Sequence, residues 1–332
     1  MIIVKTPLRI SFFGGGTDYP EWFNKYGGEV ISTAIDKYSF LCIREVKNVN
    51  SFVAPFYRKK FRISYSKVEL VNQINSIKHP AVKELLKYFN VKTGLDINYL
   101  SDLPSRSGMG SSSNFIISLI VALGKLKENK IYKPIELAKK SIFVERNLVK
   151  DYVGFQDQVI CAYGGLRNIL FKKKDKFIVK RLKLDSQRKK NLNNNLMLFF
   201  TGVQRNSTNF ASEHMKNINK NHNLLSELGQ ITREAKKVLI NGKNIDIFGN
   251  LLHENWRIKR SLTSHVSNTK IDEIYKSAYN SGASGGKILG AGGGGFILFY
   301  VKEKYRYKVL NNLKKLTYVP FKFEDSGSKI IY

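Results

Sequence analysis

Apolar positions along the chain switch between two periods. "MIIVKTPLRI" and "VISTAIDKYSFLCIREV" are rich in β-branched and aromatic residues and predict strands, the second a long strand or a strand with a bend. "FRISY" and "LDINYL" predict shorter strands. Residues 111–126 predict an apolar helix, and Pro134 opens another that runs to about Lys150, since proline suits the first helical turn. "LRNILF" and "FIVKRLKL" return to strand. "DSQRKKNLNNN", the most polar stretch, predicts an inter-domain connection near residues 185–195. Beyond it, "LMLFFTG" reads as a buried strand, with helices following at about 207–217, 222–240, 245–264 and 270–280. "GGGGFILFYV" predicts a strand behind a glycine loop, "EKYRYKVLNNLKKL" a helix and "VPFKFED" a closing strand. Such an order describes a small α+β domain with its helices on one sheet, and no repeat of fixed period is present.

The 332 residues suffice for a substantial core and about two domains. No run reaches the roughly 18 apolar residues of a membrane span, so no membrane partner is expected. The N-terminus reads at once as a strand and lacks a signal peptide's cleavage pattern. Cys42 and Cys161 lie in apolar segments as free thiols would, which points to the cytoplasm. The net charge of +30 would concentrate anions of any kind. Its lysines are scattered over polar faces, however, so a solvated surface is the plainer reading. Neither an aromatic-and-basic RNA module nor zinc-finger spacing occurs, and no nucleic-acid partner is expected.

Three glycine-rich stretches carry candidate chemistry. In "SDLPSRSGMGSSSNF", Gly108 and Gly110 permit positive φ, and Ser111 to Ser113 open a helix whose first N–H groups lack partners. A phosphate there would meet backbone donors, hydroxyls and the positive helix end. The competing reading is a capped helix behind a flexible turn. Walker A fails because "GMGSSS" has no lysine. "GAGGGG", Gly290 to Gly295, has dinucleotide-like spacing but leads into a strand instead of opening a helix. "SFFGGGTDYPEW" follows a strand bearing Arg9 and places Asp18 in a turn; both could share one end of a sheet, or be a capped turn and a solvated arginine.

Two carboxylates stand out. Ala138, Ile142, Glu145 and Val149 form one helical stripe, so Glu145 interrupts an apolar face. A paired charge or a magnesium ion would account for it. Asp157, between two glutamines in "GFQDQVICAYGG", could accept a hydroxyl proton or cap a helix.

"TPLRISFFGGGTDYP", "DLPSRSGMGSSSN" and "KILGAGGGGFILF" resemble, in order, the three motifs of the GHMP kinases, the superfamily of galactokinase, homoserine kinase, mevalonate kinase and phosphomevalonate kinase. The resemblance spans residues 6 to 299. It implies an α+β two-domain fold: a ribosomal protein S5 domain 2-like ATP-binding domain over 1–188 and a ferredoxin-like domain over 189–332, with the site between them. Arg106, Ser107, Gly108, Met109, Gly110, Ser111, Ser112 and Ser113 would then wrap the phosphates of ATP, and Ser112, or its neighbour Ser111, with Glu145 would hold Mg²⁺. Asp157 would be the catalytic aspartate, and Arg9 would stabilise the transferring group. Gly15, Gly16, Thr17, Asp18, Asp157, Arg205, Gly292 and Gly293 would meet the acceptor. Arg106, Arg205, Lys259 and Arg260 are candidates for a phosphate on the acceptor itself. "ISFFGGGTDYPEW", "VGFQDQ" and "KILGAGGGGF" are similar to the heptose 7-phosphate kinase branch, which implies phosphorylation of D-glycero-α-D-manno-heptose 7-phosphate at its anomeric hydroxyl. The 1,7-bisphosphate so formed would serve nucleotide-activated heptose and surface-glycan synthesis. Another sugar-1-kinase, such as an L-fucokinase, and a non-catalytic nucleotide-, sugar- or RNA-binding protein are the alternatives. A sugar phosphate and a nucleotide are the implied partners, and a homodimer is an allowed assembly. Galactokinases carry glutamate and histidine where this chain has Gly15 and Gly16, which argues against galactose.

Overall fold

The computed structural model describes residues 1–46, 60–203, 213 and 217–332; Arg205 and most of the helix expected at 207–217 lie outside the described residues. The first lobe contains strands β1 (Ile2–Phe13), β2 (Gly28–Val46), β3 (Phe61–Ser64), β4 (Val68–Val71), β5 (Gly94–Ser101), β6 (Leu166–Lys172) and β7 (Lys176–Arg181). Its helices are α1 (Pro20–Tyr26), α2 (Pro80–Tyr88), α3 (Ser111–Glu128), α4 (Pro134–Phe143) and α5 (Gln156–Tyr163). The long apolar segment after Gly28 is one strand, paired with β1 between Ile31 and Ile43 except at the break before Tyr38, with β6 along its first part and with β5 along its last. Helix α3 packs between the sheet and α4 and α5, and is buried almost all round from Ser113 to Gly124, as a helix without a polar face must be.

The polar stretch expected as a connection is helix α6 (Ser186–Asn194). Asp185 caps it by accepting from the Arg188 backbone N–H at 2.8 Å. The Arg188 side chain donates to the carbonyls of Leu239, at 2.7 Å, and Val238, at the end of a second-lobe helix. Capping and this tertiary contact override a composition that disfavours helix. The second lobe continues with β8 (Leu196–Phe200), α7 (His222–Asn241), α8 (Ile247–Arg260), α9 (Thr269–Asn280), β9 (Ala283–Ile288), β10 (Phe296–Val301), α10 (Arg306–Asn312) and β11 (Thr317–Val319). Its antiparallel sheet runs β11-β8-β10-β9, the order of a ferredoxin-like domain.

Two further expectations are corrected. The helix opened by Pro134 does not stay α-helical to Lys150; it passes into a π-helical turn, Val144–Leu148. The closing strand ends at Val319, because Pro320 has no N–H for the ladder. Beyond it the chain returns to the first sheet, where Glu324 N–H bonds to Ala34 O at 3.0 Å and β12 (Lys329–Ile330) pairs with β1. One apolar core crosses between the lobes: Phe248 of α8 meets Phe12 and Phe13 edge-to-face at 5.3 and 5.0 Å. Each such pair contributes about 0.5–1.5 kcal/mol beyond its buried area. Among the described residues, no helix is long and apolar enough to cross a membrane.

Candidate active site

The ladder between β1 and β2 carries two irregularities, the first with extra residues in β2 and the second with one in β1, and each makes part of the site. The register of β1 against β2 shifts between Pro7 and Arg9 and again between Ser11 and Phe13. A bulge re-aims side chains and frees main-chain groups. After the first shift the Arg9 backbone N–H bonds to Met109 O at 3.2 Å. The Arg9 side chain then makes a bidentate pair with Asp157, Nε to Oδ1 at 2.7 Å and Nη2 to Oδ2 at 2.6 Å, while Nη1 donates to Gly108 O at 2.5 Å. Arg9 is 3% exposed and Asp157 23%, so the carboxylate keeps an open edge. Burial opposes the Arg9 charge, but Asp157 outweighs it and holds the guanidinium above its usual value. A carboxylate has about four lone-pair sites, so Asp157 can still accept from a further hydroxyl.

The loop bound by Arg9 forms a nest. Gly110 is left-handed (φ 77°, ψ 23°) at the N-cap of α3, with no side-chain cap, so the N–H groups of the first turn point out of the helix unsatisfied by any cap. A Cβ on Gly110 would press on Arg9 Cγ at 3.2 Å and Asp157 Oδ2 at 3.3 Å. Ser107, Gly108 and Met109 are buried, while Arg106 and Ser112 are exposed at the rim. Asn114 fixes this helix start to β1 by donating to Thr6 O and Pro7 O at 3.2 and 2.9 Å.

Glu145, in the π turn, is fully buried. It accepts from Ser113 Oγ at 3.1 Å and Ser141 Oγ at 3.4 Å, and among the described residues no basic side chain pairs with it. Burial pushes its pKa up to about 8. Ser113, one residue beyond the expected Ser112, is therefore the hydroxyl beside this carboxylate. Among the described residues no cluster of three metal-binding side chains exists. One carboxylate and a serine at a phosphate nest fit magnesium, which binds through few protein ligands together with substrate phosphates.

In the Gly14–Asp18 loop, Asp18 is 2% exposed and accepts from the N–H groups of Gly16 (2.9 Å) and Gln156 (3.3 Å). Burial, above all, raises its carboxyl from the usual value. Thr17 Oγ1 donates to Gly14 O at 2.8 Å and ties the turn closed. A Cβ on Gly15 would meet only ordinary contacts, Gln156 Nε2 and Ser11 Oγ at 3.7 Å, so space remains there.

The second lobe closes the site with main chain. Phe296 N–H bonds to Ser107 O at 3.1 Å, and a Cβ on Gly295 (φ 85°) would stand 2.1 Å from that oxygen. Gly292 and Gly293 precede this contact, and Gly293 N–H bonds to Val266 O at 2.9 Å. Lys259 is buried with Nζ on Gly290 O, whereas Arg260 is turned to Asp272 at 2.8 Å on the surface.

Sequence reasoning missed two groups. Lys287 of β9 is 1% exposed, and its Nζ donates to Phe12 O across the lobe interface at 2.7 Å. Burial, then the like charges of Lys259 and Arg9, hold its pKa well below the usual amine value, against the attraction of Asp18. A lysine inside the apolar run "GGKILG" was the available signal. The second group lies beside the nest. Phe115 stacks on His79 with centroids 4.7 Å apart and meets Tyr99 at 4.8 Å, and Tyr65 stands edge-on to His79 at 4.8 Å. His79 Nδ1 is buried there without a hydrogen-bond partner, as is Ser101 Oγ at the end of β5. Glu69 holds the adjoining turn by accepting from Lys78 and His79 N–H at 2.6 and 3.0 Å. A separate cleft of about 490 Å³, lined by Lys60, Asn72, Lys87 and Lys92 among others, flanks the start of β5, whereas the nest follows its end.

Two outcomes follow for stability. Gly295→Ala must move the Ser107 carbonyl or its own backbone and is expected to cost at least about 2 kcal/mol in urea denaturation; an unchanged midpoint would refute the loop contact. For Glu145, the folded state keeps a proton up to about pH 8 that the unfolded carboxyl releases near 4.5. The folded state thus binds more protons in that window, and stability falls as pH rises through it. Without divalent ions, Glu145→Gln should remove this fall, read as a stability difference from wild type that grows between pH 5 and 8. A pH-independent difference would contradict it.

The geometry can be set beside known proteins. Residues 75–165 match the GHMP kinases N terminal domain and residues 213–318 the GHMP kinases C terminal domain. The chain is 29% identical over 325 residues to the D-glycero-alpha-D-manno-heptose 7-phosphate kinase of Campylobacter jejuni, covering 95% of this chain and 93% of that protein. It is 28% identical over 331 residues to the mevalonate kinase of Methanocaldococcus jannaschii, covering 95% and 96%. A D-glycero-D-manno-heptose 1-phosphate kinase from Bacteroides thetaiotaomicron superposes with a TM-score of 0.79 at 21% identity, over 100% of this chain and 99% of that one, a likeness of fold. The chain belongs to the GHMP kinase family, the ATP- and magnesium-dependent kinases of small molecules.

Proposed function

We propose that this kinase phosphorylates D-glycero-α-D-manno-heptose 7-phosphate at its anomeric hydroxyl to give the 1,7-bisphosphate. The observation that carries the reading is the placement of the Arg9–Asp157 pair between a helix-mouth nest and a loop with room at Gly15. Similarity to the Campylobacter jejuni kinase over 95% of the chain supports the choice of sugar. In this reading the lobes are residues 1–188 and 189–332, save that the C-terminal segment returns to the first sheet through Glu324 and β12, with the chemistry where they meet.

Phosphoryl transfer demands mainly alignment and charge neutralisation. The N–H groups of Gly108 to Ser113 bind the phosphates, and Arg9 faces the group in transfer. Asp157, its orientation fixed by Arg9, accepts the hydrogen bond of the attacking hydroxyl and sets its angle. Gly15, Gly16, Thr17, Asp18, Gly292 and Gly293 bound the acceptor, and Arg205 is assigned to its phosphate. Glu145, with Ser113 or Ser112, holds Mg²⁺, which supplies neutralising charge at the phosphates when bound. The partnerless Nδ1 of His79, whose ring stacks on Phe115, and the Tyr99 ring beside it receive the nucleotide's base, since a buried polar group without a partner suits a ligand of matching donors and acceptors.

A coupled ATP assay against heptose 7-phosphate, L-fucose and mevalonate, with NMR to locate the new phosphate, tests the acceptor. Turnover of heptose 7-phosphate well above the others is expected; selective turnover of either alternative would replace the assignment. Asp157→Asn should lower kcat by about 10²-fold or more with little change in the KM for ATP. Near-wild-type turnover would remove Asp157 from the mechanism. His79→Ala should raise the KM for ATP about tenfold, the scale of one lost polar contact, and leave the acceptor's KM within about twofold. The reverse pattern would exclude the base site.

A further inference from the structure

The second irregularity of β1 leaves Phe12 outside the paired register, since Ser11 pairs with Ser32 and Phe13 with Ile31. A buried carbonyl released from the ladder needs a donor. The donor comes from the other lobe, Lys287 Nζ at 2.7 Å. An ammonium is an expensive choice for this place: it is 1% exposed and feels the like charges of Lys259 and Arg9. Replacing a buried charge by an apolar group of similar volume is often neutral or stabilising, so stability does not account for the residue. Its position does. Phe12 lies two residues before Gly14, where the acceptor loop begins, and three after Arg9. Lys287 lies three residues before Gly290, where the C-terminal glycine loop begins, and Lys259 holds that glycine's carbonyl.

We infer that Lys287 is a positioning residue: by bonding Phe12 O across the lobe interface it holds the Gly14–Asp18 loop in register with the Gly290–Gly295 loop, and so sets acceptor affinity. The inference rests on the reading of Gly14–Asp18 as the acceptor loop, and it is independent of which acceptor is used. The nucleotide nest is held by bonds that use neither Phe12 O nor Lys287: Arg9 to Gly108 O, Asn114 to Thr6 O and Pro7 O, and Phe296 N–H to Ser107 O. Loss of the bond therefore acts on one substrate and spares the other.

The test compares Lys287→Met with wild type by steady-state kinetics and thermal denaturation, using heptose 7-phosphate, or L-fucose or mevalonate if wild type turns over only that. The acceptor's KM should rise about tenfold, the factor of roughly 1.4 kcal/mol, with the KM for ATP within about twofold and the melting temperature unchanged or higher. Lys287→Arg, which keeps a charged donor, should recover a large part of the loss. If Lys287→Met does not fold, Lys287→Gln is measured instead and should show the same split between substrates. Equal changes in both KM values, or unchanged KM values with a lower melting temperature, would overturn the proposal and leave Lys287 as a brace. Gly15→Ala, whose added methyl fits the protein, separates the failures. If it shifts the acceptor's KM and the Lys287 variants do not, only the lysine's role falls; if neither shifts it, the loop assignment falls with it.

Discussion

The bidentate bond between Arg9 and Asp157 organises the site. Through one side chain and its own backbone N–H, Arg9 reaches Asp157, Gly108 O and Met109 O, so it joins the first strand, the nest and helix α5. Burying a guanidinium costs desolvation, and only a bidentate carboxylate with a further carbonyl acceptor offsets it. The pair therefore stands in one geometry, with the Asp157 edge open on one side and Gly110 closing the other. A carboxylate so held can direct an incoming hydroxyl without itself being free to move.

The lobes meet through the backbone as much as through the core. Phe296 N–H on Ser107 O and Lys287 on Phe12 O each link a strand beside the second lobe's glycine loop to the first lobe, at the nest and at the end of β1. Aromatic packing of Phe248 on Phe12 and Phe13 lies behind both contacts. Main-chain contacts of this kind fix position to tenths of an ångström, which matters because phosphoryl transfer depends on alignment more than on any reactive group.

Several groups in the site are held at a cost. Glu145 is buried beside hydroxyls and the Gln158 amide, Lys287 beside like charges, and His79 and Ser101 with polar atoms left without hydrogen-bond partners. Folding would favour apolar replacements at each. Substrate charge and hydrogen bonds would satisfy what the protein leaves open.

Much of this protein can be read from the chain alone. The glycine and serine spacing around Met109 specifies a nest, because positive φ and an uncapped helix start are local properties. The interruption of an apolar stripe marks Glu145 as a residue with a task. The order of strands and helices after residue 195 gives the second lobe, since period and turn residues are local too. The tertiary structure decided what distance in sequence hides. Helix α6 forms in a stretch of poor propensity because Asp185 caps it and Arg188 finds carbonyls about fifty residues away. Ser113 in place of Ser112 meets Glu145 because α3 buries Ser113 on its inner face and leaves Ser112 exposed. The two irregularities of the β1–β2 ladder, which aim Arg9 at the nest and offer Phe12 O to Lys287, arise from pairing between the strands and from the second lobe, and neither is written in the residues of β1 themselves.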